Sequence, residues 1–186
     1  MSKCSFSSVR FCALALLVGL PVVGCESKEA KPAGGKVTTA TPPASLPGGF
    51  FLAAAPADAK TVEEVKKTAK AGDTVALRGR VGGSKDPFVA GRAVLTLMGP
   101  GLAACSDNPE DKCSTPWDYC CENKKDIGEH AATVQVTDAS GSPLKADLKG
   151  QGGIKELSDL IVVGKVSMAD GNVLIVNATG VFVAKP

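Results

Sequence analysis

Five short strand-forming runs, at 74–81, 92–98, 132–137, 160–168 and 173–183, restrict the fold more than any other feature of the chain. In the first run Val75, Leu77 and Val81 fall on one face and Thr74, Ala76, Arg78 and Arg80 on the other, the period-two alternation of a strand with one buried side. Gly79 lies on the apolar face, where a missing side chain lets a strand bend sharply, as the strands of small closed barrels must. Asp170-Gly171-Asn172 joins the last two runs as a hairpin. Ahead of the first run, Thr61-Val62-Glu63-Glu64 fits a capping box, good helix formers follow, and Gly72 suits a helix stop. Between the third and fourth runs Gly150, Gly152 and Gly153 lead into Ile154-Lys155-Glu156-Leu157, which reads as a short helix.

A stretch without periodicity, 99–129, separates the second and third runs, far longer than a connection in a compact domain should be. With its flank it forms a Cys-rich loop, 99–130, that holds Cys105, Cys113, Cys120 and Cys121. In an oxidising compartment such thiols pair, and two disulfides are the expectation. Pairing the neighbours Cys120 and Cys121 needs a strained eight-membered ring. Two connectivities remain: Cys105 with Cys120 and Cys113 with Cys121, or Cys105 with Cys121 and Cys113 with Cys120. Zinc could use four thiolates, but structural zinc sites present paired C-x(2–4)-C knuckles, the gaps here are seven, six and zero residues, and zinc thiolates are uncommon in oxidising compartments. No metal site and no cofactor are expected, and the absence of C-x-x-C argues against a redox role.

The N-terminus carries an address. Lys3 and Arg10 precede an uncharged, mostly apolar run from Phe11 to Val23, too short to span a bilayer but suited to an export signal. Val22-Val23-Gly24-Cys25 at its end resembles the bacterial lipobox, which implies cleavage after residue 24 and lipidation of Cys25. Residues 1–24 are therefore expected to be a signal peptide. Glu26, not Asp, follows the cysteine, which leans towards the periplasmic side of the outer membrane. Residues 25–56, rich in Pro, Gly and Ala, read as a tether with a span of about 30 Å, and 57–186 as the folded domain. Phe50-Phe51-Leu52 stands out in the tether, either as a packing strip against the domain or as a contact with membrane or partner.

The element order belongs to the mostly-β, five-stranded OB-type Greek-key barrel, here with a short N-terminal helix, a short helix between strands 3 and 4 and the Cys-rich insertion between strands 2 and 3. Thr61-Val62-Glu63-Glu64-Val65 leading into Gly72-Asp73-Thr74-Val75-Ala76-Leu77-Arg78-Gly79-Arg80-Val81 is similar to the opening of the bacterial periplasmic OB-fold family. Val162-Val163-Gly164-Lys165-Val166 echoes Leu77-Arg78-Gly79-Arg80-Val81, as first and fourth strands of OB domains often do. The resemblance covers about residues 61–183 and implies a fold, carrying no catalytic residue across.

OB domains commonly bind oligonucleotides on a basic groove. Composition argues against that here, because without Lys3 and Arg10 the chain has 19 basic and 19 acidic residues. From Gly72 to Val183 there are 11 basic against 14 acidic residues. Arg78, Arg80 and Arg92 are the one basic strip that could revive the reading. The lone His130 reads as a loop residue. No G-x-S-x-G, H-E-x-x-H or phosphate-binding loop is present, so no enzyme is expected. What remains is a tethered binding or structural module for a protein, glycan or small ligand, with Trp117 and Tyr119 as its best contact anchors.

Overall fold

The computed structural model describes residues 44–185; Cys25, the signal and the first part of the tether lie outside them. Thr61 caps α1 (Val62–Thr68). Its hydroxyl accepts from the Glu64 N–H at 3.2 Å, and Glu64 Oε2 accepts from the Thr61 N–H at 2.7 Å, so the expected capping box forms. Val62 and Val65 point into the core. Lys60–Thr61 forms β1, paired in parallel with β2 (Thr74–Val81).

β2 also pairs antiparallel with β3 (Val94–Met98) and with β5 (Asp159–Asp170). β3 pairs antiparallel with β4 (Ala131–Gln135), β4 in parallel with β6 (Val173–Lys185), and β6 antiparallel with β5. Hydrogen bonding thus runs round a ring, β2-β3-β4-β6-β5 and back to β2, with β1 attached to β2 in a six-stranded sheet. Leu77, Val81, Leu95, Leu97, Val134, Leu160, Val162 and Val176 fill the inside of the ring. The glycines of the two echoing segments share one purpose. A Cβ on Gly79 would lie 2.5 Å from the Met98 carbonyl oxygen, and one on Gly164 would collide with that of Asn177. Each lets a neighbouring strand approach closely. The hairpin forms where expected, with Asp170 opposite Val173 and Gly171 at φ +52°.

Three expectations need correction. No helix spans 154–157; a 3-10 turn, Gln151–Gly153, takes its place, because Gly150, Gly152 and Gly153 all adopt positive φ and Ile154 drops into the core. The second helix, α2 (Lys124–His130), instead lies inside the Cys-rich insertion, capped by Asn123 Oδ1, which accepts from the Asp126 N–H at 2.9 Å. Packing also begins before residue 57. Phe50 is 2% exposed within the core, the Leu52 N–H donates to the Val181 carbonyl at 2.8 Å and the Val181 N–H to that of Phe50 at 2.7 Å. Of the two readings of Phe50-Phe51-Leu52, the packing strip holds for Phe50 and Leu52, while Phe51 stays 38% exposed. Among the described residues no helix is long and apolar enough to cross a membrane.

Candidate functional site

The insertion docks on the sheet through the glycine pair that follows β2. A Cβ on Gly82 would lie 2.6 Å from the Trp117 carbonyl oxygen, which accepts from the Gly83 N–H at 2.8 Å. The Trp117 indole N–H donates to the Lys85 carbonyl at 3.0 Å, which pins the half-buried ring. Beneath this contact Met98, Ala104 and Tyr119 form a second small core, with Leu102, Ile127 and Leu157 packed around it. Tyr119 adopts φ +57° and is 2% exposed, so it is a core residue rather than an exposed anchor. Burial pushes its phenol up to about 12.

Between the insertion and the outer face of β2 and β5 opens a cleft of about 630 Å³. Arg78, Arg80 and Tyr119 line it; Trp117 and Arg92 do not. Arg92 is exposed at the turn into β3, so the three arginines do not form one strip. Arg80 donates through Nη1 to Asp107 Oδ1 at 2.8 Å and through Nε to Asp159 Oδ1 at 2.9 Å. Burial works against its charge, but the two carboxylates outweigh burial and raise its pKa. Its cation is spent within the protein, which leaves Arg78 as the exposed positive charge on this wall. The rest is largely apolar, with Met98, Pro100, Leu102, Leu160 and Ile161.

At the far side of the insertion the four cysteines converge as free thiols. Cys113 Sγ lies 3.5 Å and Cys105 Sγ 3.9 Å from Cys120 Sγ, both beyond the roughly 2.05 Å of a disulfide bond. Asp118 joins them: its Oδ1 is 3.9 Å from Cys113 Sγ and accepts from the Cys120 N–H at 2.9 Å, while Oδ2 accepts from the Thr115 hydroxyl at 2.6 Å. Those hydrogen bonds, with Thr115 foremost, hold the Asp118 carboxyl below its ordinary value. The backbone and hydroxyl of Thr115 lower Cys113, whereas the neighbouring Cys113 and Asp118 raise Cys120, and burial raises Cys105. Cys121 belongs to a second group with Asp111 and Cys105, all within 4.8 Å of one another, its Sγ 4.0 Å from Asp111 Oδ2. Nothing in the sequence sets Asp118 apart from the other acidic residues of the insertion, although it lies two residues before Cys120.

His130 is the last residue of α2, not part of a loop. Its Nδ1 lies 2.8 Å from the Asp126 carbonyl and Nε2 lies 3.8 Å from Glu63 Oε1, which also accepts from the Gly101 N–H at 3.1 Å. It ties α2 to α1. The chain matches no protein-family model, no curated protein and no solved structure.

Proposed function

We propose that this is an exported lipoprotein, anchored in the bacterial cell envelope through Cys25 and presenting a small OB-type binding module. The anchor rests on the charged start, short apolar run and Val22-Val23-Gly24-Cys25. Two or three acyl chains, at about 0.8 kcal/mol per buried methylene, hold a protein stably on a membrane. Support for the OB-type Greek-key barrel comes from the ring order. Its first strand, β2, pairs with both its second, β3, and its fourth, β5, while the third and fifth, β4 and β6, run parallel.

The observation that carries the binding role is the cleft of about 630 Å³ beside Arg78 and Ile161, within the roughly 300–1,000 Å³ of small-ligand sites. Apolar walls with one exposed cation suit an amphipathic small molecule, a short glycan or an extended peptide end. Polyanions are poorly served, since Arg80 is neutralised by Asp107 and Asp159. The test compares molecules released on denaturation from detergent-extracted wild type and Ile161→Glu, whose side chain lies on the cleft wall. A species present in the first and lost from the second supports the reading; identical profiles contradict it. Saturable binding of a single-stranded oligonucleotide that weakens with salt would replace it with nucleic-acid binding.

A further inference from the structure

We propose that Cys105, Cys113, Cys120 and Asp118 form a tetrahedral site for a zinc-class divalent ion. The ligand atoms of all four residues lie within 4.8 Å of one another. With metal–sulfur bonds of about 2.3 Å and metal–oxygen bonds of about 2.0 Å, a tetrahedron has edges of about 3.8 Å between sulfurs and about 3.5 Å between sulfur and oxygen. Three of the six edges are 3.5 Å (Cys113 to Cys120), 3.9 Å (Cys105 to Cys120) and 3.9 Å (Cys113 to Asp118), and the other three lie within 4.8 Å. Here one sulfur, on Cys120, has two sulfur neighbours at similar distances, and a carboxylate supplies the fourth corner.

The surroundings hold the ligands in place. Asp118 is fixed by the Thr115 hydroxyl and the Cys120 N–H. Such outer contacts orient ligands. The gaps of seven and six residues exclude paired knuckles, but the 3-10 turn at Cys105–Asp107 and the turn through Asp118 bring the ligands together without them. On binding, each thiol releases its proton to water and a metal–sulfur bond replaces the S–H bond, with no electron transferred. Thiolates plus one carboxylate favour zinc over harder ions such as calcium. The ion would join the chain near Asp107, which holds Arg80, to the segment carrying Trp117 and Tyr119, and so brace the cleft wall.

The test uses the full mature chain, extracted in detergent, purified without reductant or chelator and supplied with zinc. The expected result is one zinc per chain, an intact mass unchanged by reduction, and retention of zinc by Cys121→Ser. Cys113→Ser should lose stoichiometric zinc, and Asp118→Asn should weaken binding about tenfold or more in competition with a chromophoric chelator. Asp118→Asn keeps an oxygen acceptor, so it reports on the site even where Cys113→Ser fails to fold. A zinc-free chain that gains four hydrogens on reduction carries two disulfides and overturns the proposal. Loss of zinc from Cys121→Ser as complete as from Cys113→Ser overturns the ligand set.

Discussion

Arg80 and Asp159 stand opposite each other on the antiparallel pair β2 and β5, and the guanidinium Nε donates to Asp159 Oδ1 at 2.9 Å. The same guanidinium reaches Asp107 in the insertion, so one side chain fastens the insertion's wall of the cleft to the sheet. The partners are 33–45% exposed, which limits each pair to roughly 0–1 kcal/mol. Arg80→Met should lower stability by about 1 kcal/mol, yet speed hydrogen exchange mainly at the 3-10 turn Cys105–Asp107. Uniform acceleration across the sheet would show that the residue supports the whole fold instead.

Gly82 is where the insertion meets the sheet. A Cβ there would lie 2.6 Å from the Trp117 carbonyl oxygen and 3.1 Å from the Tyr119 ring. Gly82→Ala should therefore cost about 1–3 kcal/mol and shift the fluorescence of Trp117, the only tryptophan in the chain. Gly79→Ala, which crowds Met98 and Leu97 across the β2–β3 pairing, should destabilise by a similar amount. Chemical denaturation of both variants checks the two figures.

Tyr119 is the only tyrosine, so absorbance at 295 nm titrates one phenol. In the folded protein the midpoint should lie near 12, against about 10 in urea. Because burial raises the folded value, the unfolded state sheds this proton first. Stability linked to Tyr119 is full below pH about 10 and declines as pH rises from there to about 12. A folded midpoint near 10 would mean that the ring is exposed.

At the acid end Glu64 behaves oppositely. Its hydrogen bonds with the Thr61 N–H and hydroxyl hold its carboxyl below the ordinary value. Its contribution is present above roughly pH 4.3 and is lost as pH falls through the depressed folded value. Thr61→Ala should cost about 1 kcal/mol at neutral pH and flatten part of the acid limb, which melting curves taken at successive pH values would show.

The parts of the fold legible in the sequence are those in which local pattern and tertiary demand agree. Val75, Leu77 and Val81 alternate and line the ring; Thr61 and Glu64 cap α1 without distant help; Gly171 makes the hairpin. α2 left no periodic trace because Ile127 is its one large apolar residue and Gly128 interrupts it. Ile154 to Leu157 resembled a helix, but three glycines at positive φ turn the chain before it can form. Phe50 looked like part of a tether because its partner, Val181, lies at the other end of the chain.

The site was less legible for the same reason. Arg80 was visible as a cation, but the carboxylates that neutralise it lie 27 and 79 residues away. Tyr119 looked like a contact anchor, and only the fold reveals the second small core that buries it. The cysteine spacing spoke against metal, while Asp118, the proposed fourth ligand, carries no mark that distinguishes it from the other acidic residues of the insertion.

Mass spectrometry of the N-terminal peptide from membrane-extracted protein decides whether Cys25 is the anchor. The expected mature chain begins at Cys25 and carries a thioether-linked diacylglyceryl group, with the Cys25→Ser precursor left uncleaved. A chain that keeps residues 1–24, or one processed without lipid and found outside the membrane fraction, would contradict the anchor.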